Sequence, residues 1–166
     1  MNIVLIGYRG TGKSTVGQLL AARLGRELVS TDAEIIKRAK RTIPEIVNQE
    51  GWEYFRNLES DICGELASRD KLVIDTGGGA ILRRQNVEAL KKNGTVFWLT
   101  ASIETIGKRI GGDDQRPSLT GAKSFVDEIQ DGLLERTPNY QTAADYTIAT
   151  DDRSINQLVE TLLALV

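Results

Sequence analysis

Histidine is absent from this chain of 166 residues, and Cys63 is its only cysteine. Without histidine, a Ser-His-Asp triad is excluded, and any acid–base chemistry falls to carboxylates. A single cysteine excludes a disulfide framework and a cysteine-based metal site. The composition therefore indicates a reduced, intracellular protein, and we expect it in the cytoplasm.

A basic excess and long apolar runs are also missing. The chain carries 21 Lys and Arg against 23 Asp and Glu, a net charge of −2, whereas proteins that bind nucleic acids or membrane surfaces usually carry a basic excess. No stretch approaches the roughly 18 apolar residues of a membrane span, and the N-terminal residues are typical of a strand rather than a signal peptide. We expect a monomer without nucleic-acid or membrane partners.

The pattern of apolar residues predicts strands that alternate with helices. With 40% hydrophobic residues, the chain is long enough for one domain with a substantial core and too short for two typical ones. Strand-like runs lie at 2–6, 27–29, 71–75, 95–99 and 146–149. Such alternation indicates an α/β fold in which helices cover both faces of a five-stranded parallel sheet. We predict one domain over residues 1–166.

The loop after the first strand, residues 7–14, matches the pattern G-x-x-x-x-G-K-[ST] of a phosphate-binding P-loop. It lies between an apolar strand and a helix-like segment, which is the setting that this motif requires. Its glycines let backbone N–H groups close around phosphate oxygens, Lys13 neutralises charge on the β- and γ-phosphates, and the Ser14 hydroxyl can ligate Mg²⁺. The loop predicts a nucleotide site.

Polar residues and glycines follow the second and third strands, at the sheet edge where open α/β proteins bind ligands. Asp32 there is either a functional carboxylate or the N-cap of the next helix. Gly77, Gly78 and Gly79 indicate a close approach of the backbone to a ligand or to other backbone, with a flexible turn as the alternative. Asp75 has the position of the Walker-B carboxylate that helps to hold Mg²⁺.

Residues 111–121 are rich in glycine and polar side chains and show no periodicity. We predict a mobile lid over about 111–124, because a kinase must exclude water that would otherwise take the phosphoryl group. A solvated linker is the alternative. Arg116, in this segment, could reach the transferred phosphoryl group like an arginine finger. The helix predicted after it should end near Pro138.

Two classes of P-loop protein fit these features, a nucleotide-dependent enzyme and a GTP-binding switch. The Asn-Lys-x-Asp motif that reads guanine in such switches is absent, although residues 75–78 fit their Asp-x-x-Gly motif. A small-molecule kinase is favoured, because Arg56 and Arg136 could meet an anionic acceptor. Taken alone, Arg56 is also typical of a surface arginine with its stem along an apolar helix face.

Six short motifs occur in one order: Gly-x-x-Gly-x-Gly-Lys-Ser, Thr-Asp, Phe-Arg-x-x-Glu, Gly-Gly-Gly-Ala, Arg-Pro-x-Leu and Arg-x-x-x-Tyr. Together they span nearly the whole chain and resemble the shikimate kinase family. The resemblance implies a P-loop kinase fold similar to that of nucleoside monophosphate kinases. It also implies transfer of the γ-phosphoryl group of ATP, with Mg²⁺, to the 3-hydroxyl of shikimate in aromatic amino-acid biosynthesis.

The resemblance further implies a role for each matching residue. Asp32 would bind the acceptor hydroxyls and act as the base, while Lys13 and Arg116 would stabilise the charge that develops during transfer. The acceptor would contact Arg56 and Arg136 through its carboxylate and the glycines through its ring. The residues implied in acceptor binding are Asp32, Arg56, Gly77, Gly78, Gly79 and Arg136; those implied in ATP binding are Gly10, Thr11, Gly12, Lys13, Ser14, Thr15, Arg109, Arg116 and Arg153, with Arg109 and Arg153 flanking adenine.

The chain departs from the family pattern at two positions. Family members usually have Asp-Thr-Asp after the second strand, and here Ser30 replaces the first aspartate. Asp75 stands where the family often has a small or hydroxyl residue. We predict that the carboxylate near the metal has moved from the second strand to the third, so that Ser14 and Asp75 hold Mg²⁺. A kinase for gluconate or a nucleoside monophosphate, or a nucleotide-binding regulator without kinase activity, stays as an alternative.

Overall fold

The computed structural model describes residues 1–111 and 125–166. Its centre is a five-stranded sheet with every neighbouring pair of strands parallel. The strands are β1 (Asn2–Ile6), β2 (Glu27–Ser30), β3 (Leu72–Asp75), β4 (Gly94–Thr100) and β5 (Tyr146–Ala149). The helices are α1 (Lys13–Leu24), α2 (Thr31–Ala39), α3 (Ile43–Glu50), α4 (Trp52–Ala67), α5 (Arg84–Lys92), α6 (Ile103–Ile110), α7 (Phe125–Ala143) and α8 (Ile155–Leu163), with a 3₁₀ turn at Ala80–Leu82.

The helices pack on both faces of the sheet, as predicted. Successive side chains of a strand point to opposite faces of the sheet, so the side chains of β1 pack in two separate cores. Val4 and Ile6 pack with residues from α2, α3, α4, α5 and α7, whereas Ile3 and Leu5 pack with residues from α1 and α8. The apolar run of β1 is thus buried on both sides, which is why it does not alternate with polar residues.

The strand order β2-β3-β1-β4-β5 places β1 in the middle of the sheet. In this register Leu5 of β1 pairs with Asp75 of β3, and Asp75 pairs in turn with Ser30 of β2. Because these strands are parallel, the segments that follow them leave the sheet at the same edge. The P-loop, the first turn of α2 and the glycines at 77–79 therefore meet there.

The helix α7 contradicts one prediction, since it continues through Pro138 to Ala143. Proline removes one backbone hydrogen bond and was expected to end the helix. Leu134, whose carbonyl would have accepted that bond, is 69% exposed, so water can replace the lost donor. Beyond the proline, Tyr140 and Ala143 are buried in the core. Tertiary packing of this last segment outweighs the local cost.

The lid predicted at about 111–124 falls almost wholly outside the described residues, so the lid and its boundaries stay predictions. The role of Arg116, which lies in this segment, also stays a prediction. The neighbouring helices α6 and α7 are described, and they share a small core with Tyr8 of the P-loop. Within the described ranges, no helix is long and apolar enough to cross a membrane.

Cys63 supports a prediction about thiol reactivity. Its side chain is fully buried on α4, and burial raises the pKa of the thiol to about 12, with the charges of Glu59 and Asp32 acting in the same direction. Only the thiolate is nucleophilic, and an ordinary cysteine has a pKa of about 8.5. We expect no reaction with DTNB at about pH 8 in the folded protein and prompt reaction in urea, followed by the absorbance of the released thiolate. Folded protein that reacts as fast as glutathione would contradict this.

Candidate active site

The glycines of the P-loop have backbone conformations that favour glycine, and Gly7 and Gly10 are also closely packed. Gly7, Gly10 and Gly12 have φ angles of 151°, 81° and 93°, a region that residues other than glycine rarely adopt. A methyl group at Gly7 would lie 2.5 Å from the carbonyl oxygen of Leu99 on β4. The loop then enters the N-terminus of α1, where backbone N–H groups and the helix dipole favour phosphate.

A polar cluster lies where the P-loop meets the end of β3, and it consists of Lys13, Ser14 and Asp75. The ammonium group of Lys13 is nearly buried and donates to the carbonyl oxygens of Gly7 (2.9 Å) and Tyr8 (3.1 Å). The Ser14 hydroxyl donates to Oδ2 of Asp75 at 2.5 Å. Burial raises the pKa of the Asp75 carboxyl, while the charge of Lys13 and the hydrogen bond from Ser14 act in the opposite direction. A hydroxyl and a carboxylate from different elements thus lie side by side.

A cavity of about 480 Å³ opens at this edge of the sheet. It brings together residues that the sequence places far apart along the chain. Of the residues predicted from sequence, it is lined by Gly10, Gly12, Lys13, Ser14, Thr15, Asp32, Asp75, Gly77, Gly78 and Arg109.

Asp32 lies in the first turn of α2. The alternative interpretation, in which Asp32 is the N-cap of this helix, is therefore wrong. The cap is Ser30, whose Oγ accepts a hydrogen bond from the N–H of Ala33 at 3.2 Å. Asp32 instead faces the glycine turn, residues 77–79. A methyl group at Gly77 would lie 2.6 Å from Oδ1 of Asp32, so only glycine allows this carboxylate to approach the backbone.

Arg56 is not a surface residue, because its side chain is only 12% exposed. Its guanidinium lies over the rings of Trp52 (5.3 Å) and Phe55 (5.2 Å) and donates to Oε1 of Glu59 at 2.9 Å. Glu59 is fully buried. A methyl group at Gly79 would overlap the guanidinium of Arg56. Helix α4 therefore presents a fixed cation to the glycine turn.

Arg136 reaches the same turn from α7. It is 8% exposed, its guanidinium lies over the ring of Tyr8 at 5.5 Å, and its Nη1 would be 3.4 Å from a methyl group at Gly78. The hydroxyl of Tyr140 donates to the carbonyl oxygen of Gly78. Burial raises the pKa of Tyr140 to about 12, against the opposing charge of Arg136. Two cations and one carboxylate thus converge on three glycines.

The sequence predicted no role for Glu59 or Tyr140, although both lie within the six motifs. Each is one helical turn after a predicted arginine, since Glu59 follows Arg56 by three positions and Tyr140 follows Arg136 by four. Residues at these spacings share a helix face. This spacing was the one signal in the sequence that could have indicated a role for them. Their complete burial could not be predicted from the sequence.

The two arginines predicted beside adenine share a second, smaller cavity of about 270 Å³ next to the P-loop. Arg109 donates to the carbonyl oxygen of Gly10 (3.2 Å) and to the Thr150 hydroxyl (3.1 Å). Arg153 donates to the hydroxyl of Thr161 at 2.5 Å. Because Arg109 also lines the larger cavity, the two cavities are neighbours. The predicted P-loop residue Thr11 lines the smaller cavity, with Gly12 and Thr15.

Comparisons with known proteins agree with this geometry. A family model described as shikimate kinase matches residues 9–166. The shikimate kinase of Nitratidesulfovibrio vulgaris is 40% identical over 166 residues, covering 98% of this chain and 94% of that protein. That of Symbiobacterium thermophilum is 42% identical over 165 residues, again covering 98% and 94%.

Solved structures give the same result. Shikimate kinase from Acinetobacter baumannii in complex with shikimate matches with a TM-score of 0.94 at 40% identity, covering 99% of this chain and 91% of that one. A gluconokinase from Sinorhizobium meliloti matches with a TM-score of 0.57 at 20% identity, covering 98% and 89%, so it shares the fold alone. The resemblance carried by the six motifs is confirmed, and the chain belongs to the shikimate kinase family.

Proposed function

We propose that this protein transfers the γ-phosphoryl group of ATP to the 3-hydroxyl of shikimate, which gives shikimate 3-phosphate and ADP. The observation that carries the proposal is the convergence of Asp32, Arg56 and Arg136 on the glycine turn beside the P-loop. Shikimate is a compact carboxylate with several hydroxyls. Arginine guanidinium groups can form paired hydrogen bonds with its carboxylate, and an aspartate can accept hydrogen bonds from its hydroxyls. The Acinetobacter baumannii relative forms a complex with shikimate.

On the acceptor side, Arg56 and Arg136 bind the carboxylate and the glycine turn contacts the ring. The ion pair with Glu59 holds Arg56 in place before the acceptor arrives, so little side-chain freedom is lost on binding. Asp32 then binds the hydroxyls at the other end of the acceptor and takes the proton of the attacking 3-hydroxyl. A carboxylate in this role accounts for a kinase that lacks histidine.

On the donor side, residues 10–15 hold the phosphates of ATP, and Arg109 and Arg153 flank the adenine. Lys13 lies in the cavity and stabilises the negative charge that spreads over the phosphoryl oxygens during transfer. Arg116, outside the described residues, is proposed to close over the phosphates from the lid. A monomeric, cytoplasmic enzyme stays a prediction from the sequence.

Magnesium fits the oxygen donors at the end of β3. Ser14 and Asp75 together offer the hydroxyl and carboxylate oxygens that this cation prefers. Among the residues that the structure describes, no group of three or more His, Cys, Asp or Glu could hold a metal by itself, so we assign the remaining positions to phosphate oxygens and water. Bound Mg²⁺ would neutralise phosphate charge and orient the γ-phosphoryl group.

The pairing of Ser30 with Asp75 gives a test of the predicted exchange of positions. Asp75→Ser should remove the dependence of ADP affinity on Mg²⁺ together with most of the activity. Adding Ser30→Asp should restore both, because a carboxylate at either paired position reaches the same edge of the cavity. Isothermal titration of ADP with and without Mg²⁺ measures the first effect independently of turnover.

The matched control for that exchange is Ser30→Asp alone, which should keep Mg²⁺-dependent binding. If Asp75→Ser retains full Mg²⁺-dependent ADP affinity and full activity, the metal-side carboxylate has not moved to β3. That result would leave Asp75 as a buried residue held by Lys13 and Ser14.

Asp32→Ala should abolish phosphorylation and leave nucleotide affinity near normal. Loss of a general base costs roughly 10²–10⁴ in kcat, and Asp32 lies on the acceptor side of the cavity rather than in the P-loop. Steady-state kinetics and ADP titration measure the two quantities. Asp61→Ala, which removes an exposed aspartate of α4, is the control and should change neither. Unchanged turnover in Asp32→Ala would remove this residue as the base.

The acceptor itself is tested by ADP release from ATP and Mg²⁺ with shikimate, gluconate, AMP and CMP in turn. We expect turnover with shikimate and only background with the other three. Because gluconokinase shares this fold at low identity, gluconate is the informative competitor. Turnover with another acceptor would reassign the enzyme, and ATP binding without turnover of any acceptor would favour a nucleotide-binding regulator.

A further inference from the structure

Tyr140 connects three parts of the molecule that meet behind the acceptor site. It is completely buried on α7, and its ring stacks on Trp98 of β4 with centroids 5.6 Å apart and an interplanar angle of 17°. Its hydroxyl donates to the carbonyl oxygen of Gly78 in the glycine turn. The sheet therefore fixes the ring, and the ring in turn fixes where the hydroxyl points.

The guanidinium of Arg136, one helical turn earlier on α7, lies near this hydroxyl, and its positive charge acts to lower the pKa of the phenol. The phenol proton goes to the carbonyl oxygen of Gly78, and the guanidinium of Arg136 packs against the same glycine. Since the pKa of Tyr140 is raised to about 12, this proton stays in place across the pH range of ordinary assays. Arg136 and Tyr140 thus meet at Gly78, Arg136 through packing and Tyr140 through a hydrogen bond.

Gly78 has little room to move within this arrangement. A methyl group on it would lie 3.3 Å from the backbone nitrogen of Arg9, 3.4 Å from Nη1 of Arg136 and 3.5 Å from the carbonyl oxygen of Gly7. The glycine turn is therefore wedged between the P-loop and the arginine that is proposed to bind the carboxylate. A small shift of its backbone would change the distance between that arginine and the surface against which the acceptor lies.

We propose that Tyr140 is a positioning residue for the acceptor, and that its hydroxyl holds the Gly78 turn against the guanidinium of Arg136. The inference rests on the proposed function, because it takes Arg136 and the turn as the acceptor site. Tyr140 lies behind both groups and acts through them. It selects the position of the acceptor carboxylate and leaves the nucleotide side of the cavity unaffected.

Tyr140→Phe tests this with the loss of one oxygen atom, since the ring and its stacking on Trp98 are kept. Without the hydroxyl, the Gly78 carbonyl loses a buried donor and the turn is no longer held against Arg136, which is worth on the order of tenfold or more in affinity. We expect KM for shikimate to rise by about that factor, while KM for ATP and the affinity for ADP stay within about twofold.

The matched control is Tyr146→Phe. Tyr146 is also stacked on an aromatic ring, that of Phe97 at 5.2 Å, but it is 40% exposed on β5. Its hydroxyl should be dispensable, so both KM values should match those of the unmodified protein. Thermal melting of both variants monitors folding, and titration calorimetry with shikimate measures acceptor affinity without turnover.

Two results would overturn the role of Tyr140. One is a shikimate KM and affinity within about twofold of the unmodified protein, and the other is an equal rise in the KM values for shikimate and ATP, which would indicate a general structural effect. Failure of the proposed function is recognised separately, since the unmodified protein would then not turn over shikimate at all. In that case the same KM split, measured with the acceptor that is turned over, decides the role of Tyr140.

Discussion

The register of three parallel strands is the constraint on which the site depends. β3 lies between β1 and β2, so that Leu5, Asp75 and Ser30 are aligned across the sheet. The chain segments that follow these strands are the P-loop, the glycine turn and the first turn of α2. A shift of one residue in this register would turn Asp75 to the opposite face of the sheet and away from Ser14. The sheet thus places the nucleotide-binding half of the site next to the acceptor-binding half.

Charge compensation is the second condition. Burying an arginine is costly unless hydrogen bonds or an opposite charge replace its water. Arg56 has the carboxylate of Glu59 and two aromatic rings around it, and Arg136 has Tyr140 and the ring of Tyr8. Both cations are therefore held close to the position where they would meet a carboxylate. Such preorganisation reduces the ordering that substrate binding would otherwise require.

The sequence predicted the elements whose signals are local. The P-loop motif and the apolar runs located the five strands that the structure describes, and β5 was predicted with the bounds that the structure has. The errors have tertiary causes. Pro138 lies within α7 because buried residues follow it. Arg56 is enclosed by Glu59 and by the glycine turn, and this turn lies more than 20 residues further along the chain. The roles of Glu59 and Tyr140 depend on burial, which no local pattern encodes.

The most direct test of this account is a crystal structure of the protein with shikimate, Mg²⁺ and a non-hydrolysable ATP analogue. We expect the shikimate carboxylate to lie between Arg56 and Arg136, the ring to lie against the glycine turn, and the 3-hydroxyl to lie within about 3 Å of a carboxylate oxygen of Asp32. The analogue should have its phosphates in the P-loop. A shikimate whose carboxylate lies away from both arginines, or whose 3-hydroxyl faces away from Asp32, would contradict it.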